Sequence, residues 1–114
     1  MHEAMVAQSL LAAILDEAAK HSARPLVAKI SCGKLYAIND ETLCFAFEAI
    51  TKGTLCEGVK LEIEQKPIQG QCNKCNQNFD VELSSPRCPK CGTEDFDLLP
   101  DAPLMLEEIE FQSE

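Results

Sequence analysis

Positive charge is scarce in this sequence, which has 10 Lys and Arg residues against 19 Asp and Glu residues and a formal net charge of −9. A protein that binds the phosphate backbone of a nucleic acid needs a basic surface. The composition therefore predicts an anionic surface and argues against a nucleic-acid partner.

Long apolar segments and histidine are also scarce. No stretch approaches the roughly 20 apolar residues that a membrane-spanning helix needs, and no basic segment opens the chain as it would in a secretory signal. We therefore expect a cytoplasmic protein with no membrane partner. The chain has two histidines, so there are few candidates for the base of a Cys-His or Ser-His catalytic arrangement. We therefore predict no catalytic residue and no enzyme activity.

Cysteine, in contrast, is abundant, with seven residues. An odd number of cysteines in a reducing cytosol argues against a disulfide framework. Four of them form the two motifs "CNKC" and "CPKC", separated by twelve residues. Two residues between cysteines let one tight turn direct both sulfurs at a single ion, and two such knuckles complete a tetrahedron of thiolates. We predict a closed, structural zinc site, with a rubredoxin-like iron centre as the alternative. The predicted ligands are Cys72, Cys75, Cys88 and Cys91.

The other three cysteines, Cys32, Cys44 and Cys56, lie at twelve-residue intervals without clustering. Free cysteine often packs as a small apolar residue. We therefore predict that these three residues contribute to the core and bind no metal.

Hydrophobic periodicity predicts two helices and three strands outside the cysteine-rich region. Helical elements show apolar residues at three- and four-residue spacing, and strands show alternation or β-branched residues. In chain order the predicted elements are a helix from Glu3 to about Ser22, a strand in "LVAKISCGKLY" that ends near Gly33, a helix in "NDETLCFAFEAITKG", a strand in "GVKLEIEQKP" and a strand in "LMLEEIEF". The second helix has Asn39 or Asp40 as its cap and Gly53 just past its end.

The composition of residues 68–100 differs from that of the rest of the chain, because four cysteines and many turn formers replace the periodic aliphatic residues. The simplest architecture is an α/β domain of residues 1–67 plus 101–114, interrupted by a metal-held insert of residues 68–100. The twelve residues between the knuckles are long enough for a short hairpin. Acidic residues outnumber basic ones in the insert, which again argues against nucleic-acid binding.

The chain begins with "MHE". A histidine at residue two is a weak signal by itself, but its chemistry is distinctive. The α-amine of Met1 titrates near pH ~8, and that amine, the His2 amide nitrogen and the imidazole can close fused chelate rings around one ion. Such a nitrogen set suits Ni(II) or Cu(II). Glu3 could ligate the ion, accept a hydrogen bond from the imidazole, or stabilise the start of the helix.

Taken together, "MHE", the helix behind it, "GKLYAINDETLCFAFEAITKGTLCEGVKLEIEQKP", both knuckles and "LEEIEF" resemble the HypA/HybF hydrogenase-maturation nickel metallochaperones. The resemblance covers essentially the whole chain. It implies an α+β fold in which two helices pack on a three-stranded sheet with an inserted zinc-ribbon domain. It also implies a chaperone that works beside the GTPase HypB and loads nickel into the large subunit of [NiFe]-hydrogenase.

Carried over by position, the resemblance implies that Met1 and His2 ligate nickel, that Glu3 is the second essential residue of the motif, and that the four knuckle cysteines hold zinc. Some relatives add a histidine from the zinc domain, but no histidine follows His21 here. The fourth nickel ligand therefore stays open, and a homodimer is compatible with the sequence. Two other interpretations remain, a zinc-ribbon interaction module without nickel and a rubredoxin-like electron carrier.

Overall fold

Two helices cover one face of a three-stranded sheet, and a second three-stranded sheet lies within the cysteine-rich segment. The structure is a computed structural model that describes residues 3–112. The elements in chain order are α1 (Glu3–His21), β1 (Pro25–Gly33), α2 (Asp40–Thr51), β2 (Lys60–Lys66), β3 (Gln69–Cys72), β4 (Asn78–Asp80), β5 (Phe96–Leu98) and β6 (Met105–Phe111). The predicted α+β fold is confirmed. No helix in this described part is long and apolar enough to cross a bilayer.

The first helix buries the stripe that its sequence predicts. Val6, Leu10, Ile14 and Ala18 are all buried, and they recur every four residues, so they lie along one side of α1. The helix ends at His21, where the next residue, Ser22, adopts a positive φ of 50° that a helix cannot continue. This face of α1 supplies one side of the main hydrophobic core.

The second helix begins and ends at the signals in its sequence. Asn39 is the N-cap, and its side-chain oxygen accepts a hydrogen bond from the Thr42 amide at 2.9 Å. At the other end Gly53 takes a φ of 79° two residues after the helix stops. Leu43 and Phe47 are buried between these ends, so α2 contributes its apolar side to the same core.

The larger sheet has the order β2-β1-β6, with β1 parallel to β2 and antiparallel to β6. Ala28, Ile30 and Cys32 of β1 alternate with other residues and belong to the core beneath the helices. The opposite face of the sheet is charged, as in the ion pair between Lys29 Nζ and Glu108 Oε2 at 3.1 Å. A sheet with one buried and one hydrated face is what the alternation in the sequence predicts.

The cysteine-rich segment leaves the larger sheet and returns to it at one end of the central strand. At that end Lys66 of β2 lies opposite Gly33, and Met105 of β6 lies opposite the nearby Ser31. The amide of Gly33 also donates to Ala102 O at 3.0 Å, which holds the returning connection. The two connections therefore flank the carboxyl end of β1.

The twelve residues between the two knuckles are long enough for a short hairpin, but they do not form one. Strand β4 pairs with β3, which precedes the first knuckle, and β5 follows the second knuckle and pairs with the other side of β3. The physical reason is that a knuckle is itself a chain-reversing turn, so it returns β4 onto the strand before it. In the twelve residues between the knuckles, only β4 at 78–80 is a strand.

Candidate metal centre

The first knuckle is a tight turn closed by two backbone hydrogen bonds. The amide of Cys72 donates to Gln77 O at 2.9 Å, and the amide of Asn76 donates to Cys72 O at 3.0 Å. Asn76 has a φ of 61°, in the left-handed region that asparagine tolerates better than most residues. The sequence thus supplies a turn residue where the chain must reverse around the metal position.

The second knuckle repeats this geometry sixteen residues later in the chain. The amide of Cys88 donates to Thr93 O at 2.9 Å, and the amide of Gly92 donates to Cys88 O at 2.8 Å. Gly92 has a φ of 74° at the position equivalent to Asn76, and glycine adopts this conformation without steric cost. The two knuckles are therefore matching turns that present their sulfurs to the same point.

The four knuckle sulfurs form a cluster with the dimensions of a tetrathiolate zinc site. Cys72 Sγ and Cys91 Sγ are 3.5 Å apart, Cys75 Sγ and Cys88 Sγ are 3.7 Å apart, and all four lie within 4.8 Å of one another. A tetrahedron with Zn–S bonds of about 2.3 Å has S···S edges of about 3.8 Å. A disulfide would need about 2.05 Å. The geometry fits a four-coordinate structural zinc, which these residues would hold with no position open for substrate.

Backbone amides stabilise the thiolate form that a metal requires. The amides of Cys75 and Lys74 donate to Cys72 Sγ at 3.4 and 3.3 Å. The Cys75 amide is the main cause that lowers the pKa of Cys72 to about 6. In the second knuckle the Cys91 amide is the main cause that lowers the pKa of Cys88. One thiol of each knuckle is therefore favoured as a thiolate. Burial and the Cys72 sulfur raise the pKa of Cys75 to about 11, and the Cys72 sulfur raises the pKa of Cys91, so these two thiols would lose their protons to the metal when it binds.

Little else holds this small sheet together. Its hydrophobic cluster consists of buried Cys72, Phe79 and Cys88 with partly buried neighbours that include Val81 and Phe96. The two aromatic rings meet edge to face with centroids 5.2 Å apart. A core of this size supplies little stability, so a metal is expected to contribute most of it.

The remaining three cysteines do not join the cluster. Cys32 and Cys56 are fully buried in the main core, as predicted, whereas Cys44 is half-buried at its margin. Burial raises the pKa of all three thiols, which keeps them neutral at neutral pH. Within residues 3–112, the knuckle cysteines form the one cluster of three or more side chains with metal-ligand geometry.

Of the predicted nickel ligands, Met1 and His2 lie outside the described residues, and Glu3 is the first residue of α1. The side chain of Glu3 is buried, with 6% of its surface exposed, and Glu3 Oε2 accepts a hydrogen bond from the Asn39 amide at 2.9 Å. This bond is the main cause that lowers the pKa of Glu3 to about 2. Glu3 therefore stays ionised at neutral pH and fastens the start of α1 to the start of α2.

Sequence reasoning missed the contact between Glu3 and Asn39, although it identified each residue. Asn39 was recognisable as a helix cap, but nothing in the sequence connects its amide to a carboxylate 36 residues away. The second histidine, His21, lies at the far end of α1, where its ring contacts Phe111 with centroids 4.9 Å apart. About 27 Å of helix separates it from Glu3 at ~1.5 Å per residue, so it takes no part in the amino-terminal motif.

Comparison with known proteins gives one consistent result. A family model described as "Hydrogenase/urease nickel incorporation, metallochaperone, hypA" matches residues 1–111. A hydrogenase maturation factor HypA of Desulfitobacterium hafniense is 33% identical over 113 residues, which cover 98% of this chain and 99% of that protein. A protein of the same name from Syntrophus aciditrophicus is 38% identical over 95 residues, covering 82% of this chain and 83% of the relative.

Solved structures agree with the sequence comparison. The chain is similar to the solution structure of the Ni metallochaperone HypA from Helicobacter pylori, with a TM-score of 0.64, 25% identity and 100% of both chains covered. A second solution structure of a HypA protein has a TM-score of 0.70 at 24% identity, with 100% of this chain and 98% of that chain covered. The second likeness supports the fold alone.

Proposed function

Because the chain belongs to the HypA family of nickel-incorporation metallochaperones for hydrogenase maturation, we propose that it binds Ni(II) at Met1, His2 and Glu3 and delivers the ion to a [NiFe]-hydrogenase. The observation that carries this proposal is the extent of the family match, which begins at residue 1 and so includes the amino-terminal motif. Nickel is cargo in this proposal, whereas the zinc on the four cysteines is structural.

The chemistry of the motif supports the assignment of the ligands. The Met1 amine, the His2 amide nitrogen and the His2 imidazole are nitrogen donors of the kind that Ni(II) prefers in planar geometry. Glu3 contributes a carboxylate, which can accept the Asn39 amide and still offer lone pairs to a cation because its two oxygens have about four acceptor sites. Anchoring Glu3 in this way fixes the first turn of α1, which follows His2 directly in the sequence.

Delivery requires that the ion leave as readily as it binds. A chelate at a chain terminus exposes one side of the ion, so a receiving protein can replace its ligands one at a time. We propose that the exchange takes place in the cytoplasm, beside the GTPase HypB and with the hydrogenase large subunit as the acceptor. The family consists of metallochaperones and maturation factors, and we propose no catalytic role for any residue of this chain.

Nickel titration of the untagged protein tests the proposal. We expect one Ni(II) per chain, and we expect His2→Ala to lower the affinity by more than about 100-fold, because loss of a direct ligand should exceed the 10- to 100-fold cost of losing an outer hydrogen-bond partner. His21→Ala is the matched control, since His21 is the other histidine and lies at the opposite end of α1. Equal affinity of His2→Ala and the unaltered protein would rule out this motif as the nickel site.

Nickel affinity should also rise as the pH increases from about 6 to about 8. The imidazole and the α-amine, with ordinary pKa values near 6.5 and 7.7–8.0, must both lose protons to coordinate. Glu3 adds no dependence in this window, because its pKa of about 2 keeps it ionised throughout. Calorimetric titrations at several pH values measure how the nickel affinity changes with pH. A flat profile would contradict coordination by these two groups.

A further inference from the structure

The side-chain amide of Gln65 bridges two acceptors on either side of Asn39. Gln65 lies near the end of β2, and its Nε2 donates to Ile38 O at 2.9 Å and to Asp40 Oδ1 at 2.8 Å. Ile38 and Asp40 are the two chain neighbours of Asn39. One amide group from the sheet therefore holds the turn at the start of α2 from both sides.

The turn at the start of α2 sets the orientation of Asn39. Its side-chain oxygen caps α2 by accepting from the Thr42 amide at 2.9 Å, and its own amide donates to Glu3 Oε2 at 2.9 Å. A hydrogen bond weakens steeply when its donor–hydrogen–acceptor angle falls below about 120°. The bond to Glu3 therefore depends on the direction in which the peptide between Ile38 and Asn39 points. Ile38 O, which Gln65 holds, belongs to that same peptide.

We propose that Gln65 is a positioning residue for the nickel motif, which it orients through the amide of Asn39 and the carboxylate of Glu3. This inference rests on the proposed function and adds to it a residue from the strand that leads into the zinc ribbon. The residue type matters, because both partners of Gln65 are acceptors and only a donor can join them. A glutamate at this position would place a second carboxylate beside Asp40 and leave Ile38 O without its donor.

Gln65→Met tests this role, because methionine has a similar length and no donor. Direct hydrogen-bond partners of metal ligands typically contribute about 10- to 100-fold to affinity. Gln65 acts one bond further away, through Asn39, so we expect nickel affinity to fall by up to about 10-fold, the lower limit of that range. Zinc content should not change. The matched control is Gln71→Met, which makes the same substitution at an exposed position of β3. Amide hydrogen exchange of Asn39 in the nickel-free protein should be faster in Gln65→Met alone.

Repeating the Gln65→Met substitution in a Glu3→Ala protein distinguishes an effect on the orientation of Glu3 from a general loss of folding. If Gln65 acts through Glu3, Gln65→Met should weaken nickel binding in the unaltered protein and have little further effect in Glu3→Ala. A general loss of folding would weaken binding equally in both backgrounds, and that result would overturn the inference. It would also be overturned if Gln65→Met binds nickel normally while His2→Ala does not. If His2→Ala also binds normally, the proposed nickel site itself is wrong.

Discussion

Extending the chain before Met1 with a metal-inert tag should lower nickel affinity by more than about 100-fold, again because a direct ligand should contribute more than an outer partner does. The extension converts the α-amine, which titrates near pH ~8, into an amide that cannot bind a cation until it loses its proton. The His2 amide can lose its proton to the metal because the free amine and the imidazole anchor the ion on either side of it, and the extension removes one of these two anchors. It also removes the five-membered chelate ring between the terminal nitrogen and the His2 amide. Titration of nickel into tagged and untagged protein at one pH measures the effect.

The same tag placed after Glu114 is the control, because the carboxyl terminus is no part of the proposed chelate. Zinc content and helix content should stay constant in both tagged proteins, since neither depends on the Met1 nitrogen. If the amino-terminally tagged protein binds nickel as tightly as the untagged one, the amine is not a ligand. The nickel site would then have to be sought among other donors.

Cys72→Ser should remove zinc and unfold the ribbon of residues 68–100 while much of the helical domain remains folded. Binding of structural zinc contributes about 10–16 kcal/mol in small zinc domains, which far exceeds what a core of this size can supply. The two aromatic rings of the ribbon, Phe79 and Phe96, should lose their fixed contact when the metal is lost. Zinc analysis and two-dimensional NMR of the ribbon amides measure the outcome.

Cys44→Ser is the matched control, because Cys44 is a half-buried cysteine outside the cluster. It should retain one zinc per chain and the full set of ribbon signals. A Cys72→Ser protein with stoichiometric zinc and dispersed ribbon signals would contradict the assignment. Metal analysis also tests the rubredoxin-like alternative, since a ferric tetrathiolate is red and a zinc site is colourless.

Much of the fold could be predicted from sequence because its signals are local. The apolar stripe of α1 and the alternation in β2 each show which face is buried, and Asn39 and Gly53 mark the limits of α2. Each cysteine knuckle was predictable for the same reason, since two residues between cysteines suffice to define it. That both knuckles bind one ion follows from the four-ligand preference of zinc, because Cys72 and Cys91 lie 19 residues apart in the chain.

Most features that escaped prediction are contacts between distant segments. The pairing of β3 with β5 depends on how two knuckles meet at one metal, which no single segment encodes. The pairing of β3 with β4 is the local exception, because a single knuckle returns β4 onto the strand before it. Glu3 allowed three interpretations from sequence, and the bond to Asn39 adds a role that none of them contained. Nothing in the local sequence indicates the role of Gln65, because its two acceptors, on Asp40 and Ile38, lie 25 and 27 residues away.

The two connections to the ribbon lie on either side of the carboxyl end of β1. This arrangement determines how the ribbon could be replaced by another segment. Because β2 and β6 are the immediate neighbours of β1, the chain departs and re-enters across two strand spacings, about 10 Å. Three or four extended residues span that distance. A short bridge could therefore replace the ribbon, or an unrelated domain with closely spaced termini could be grafted there, without changing the register of the sheet. A change confined to this segment would then leave the start of α1, and with it the proposed nickel motif, unaltered.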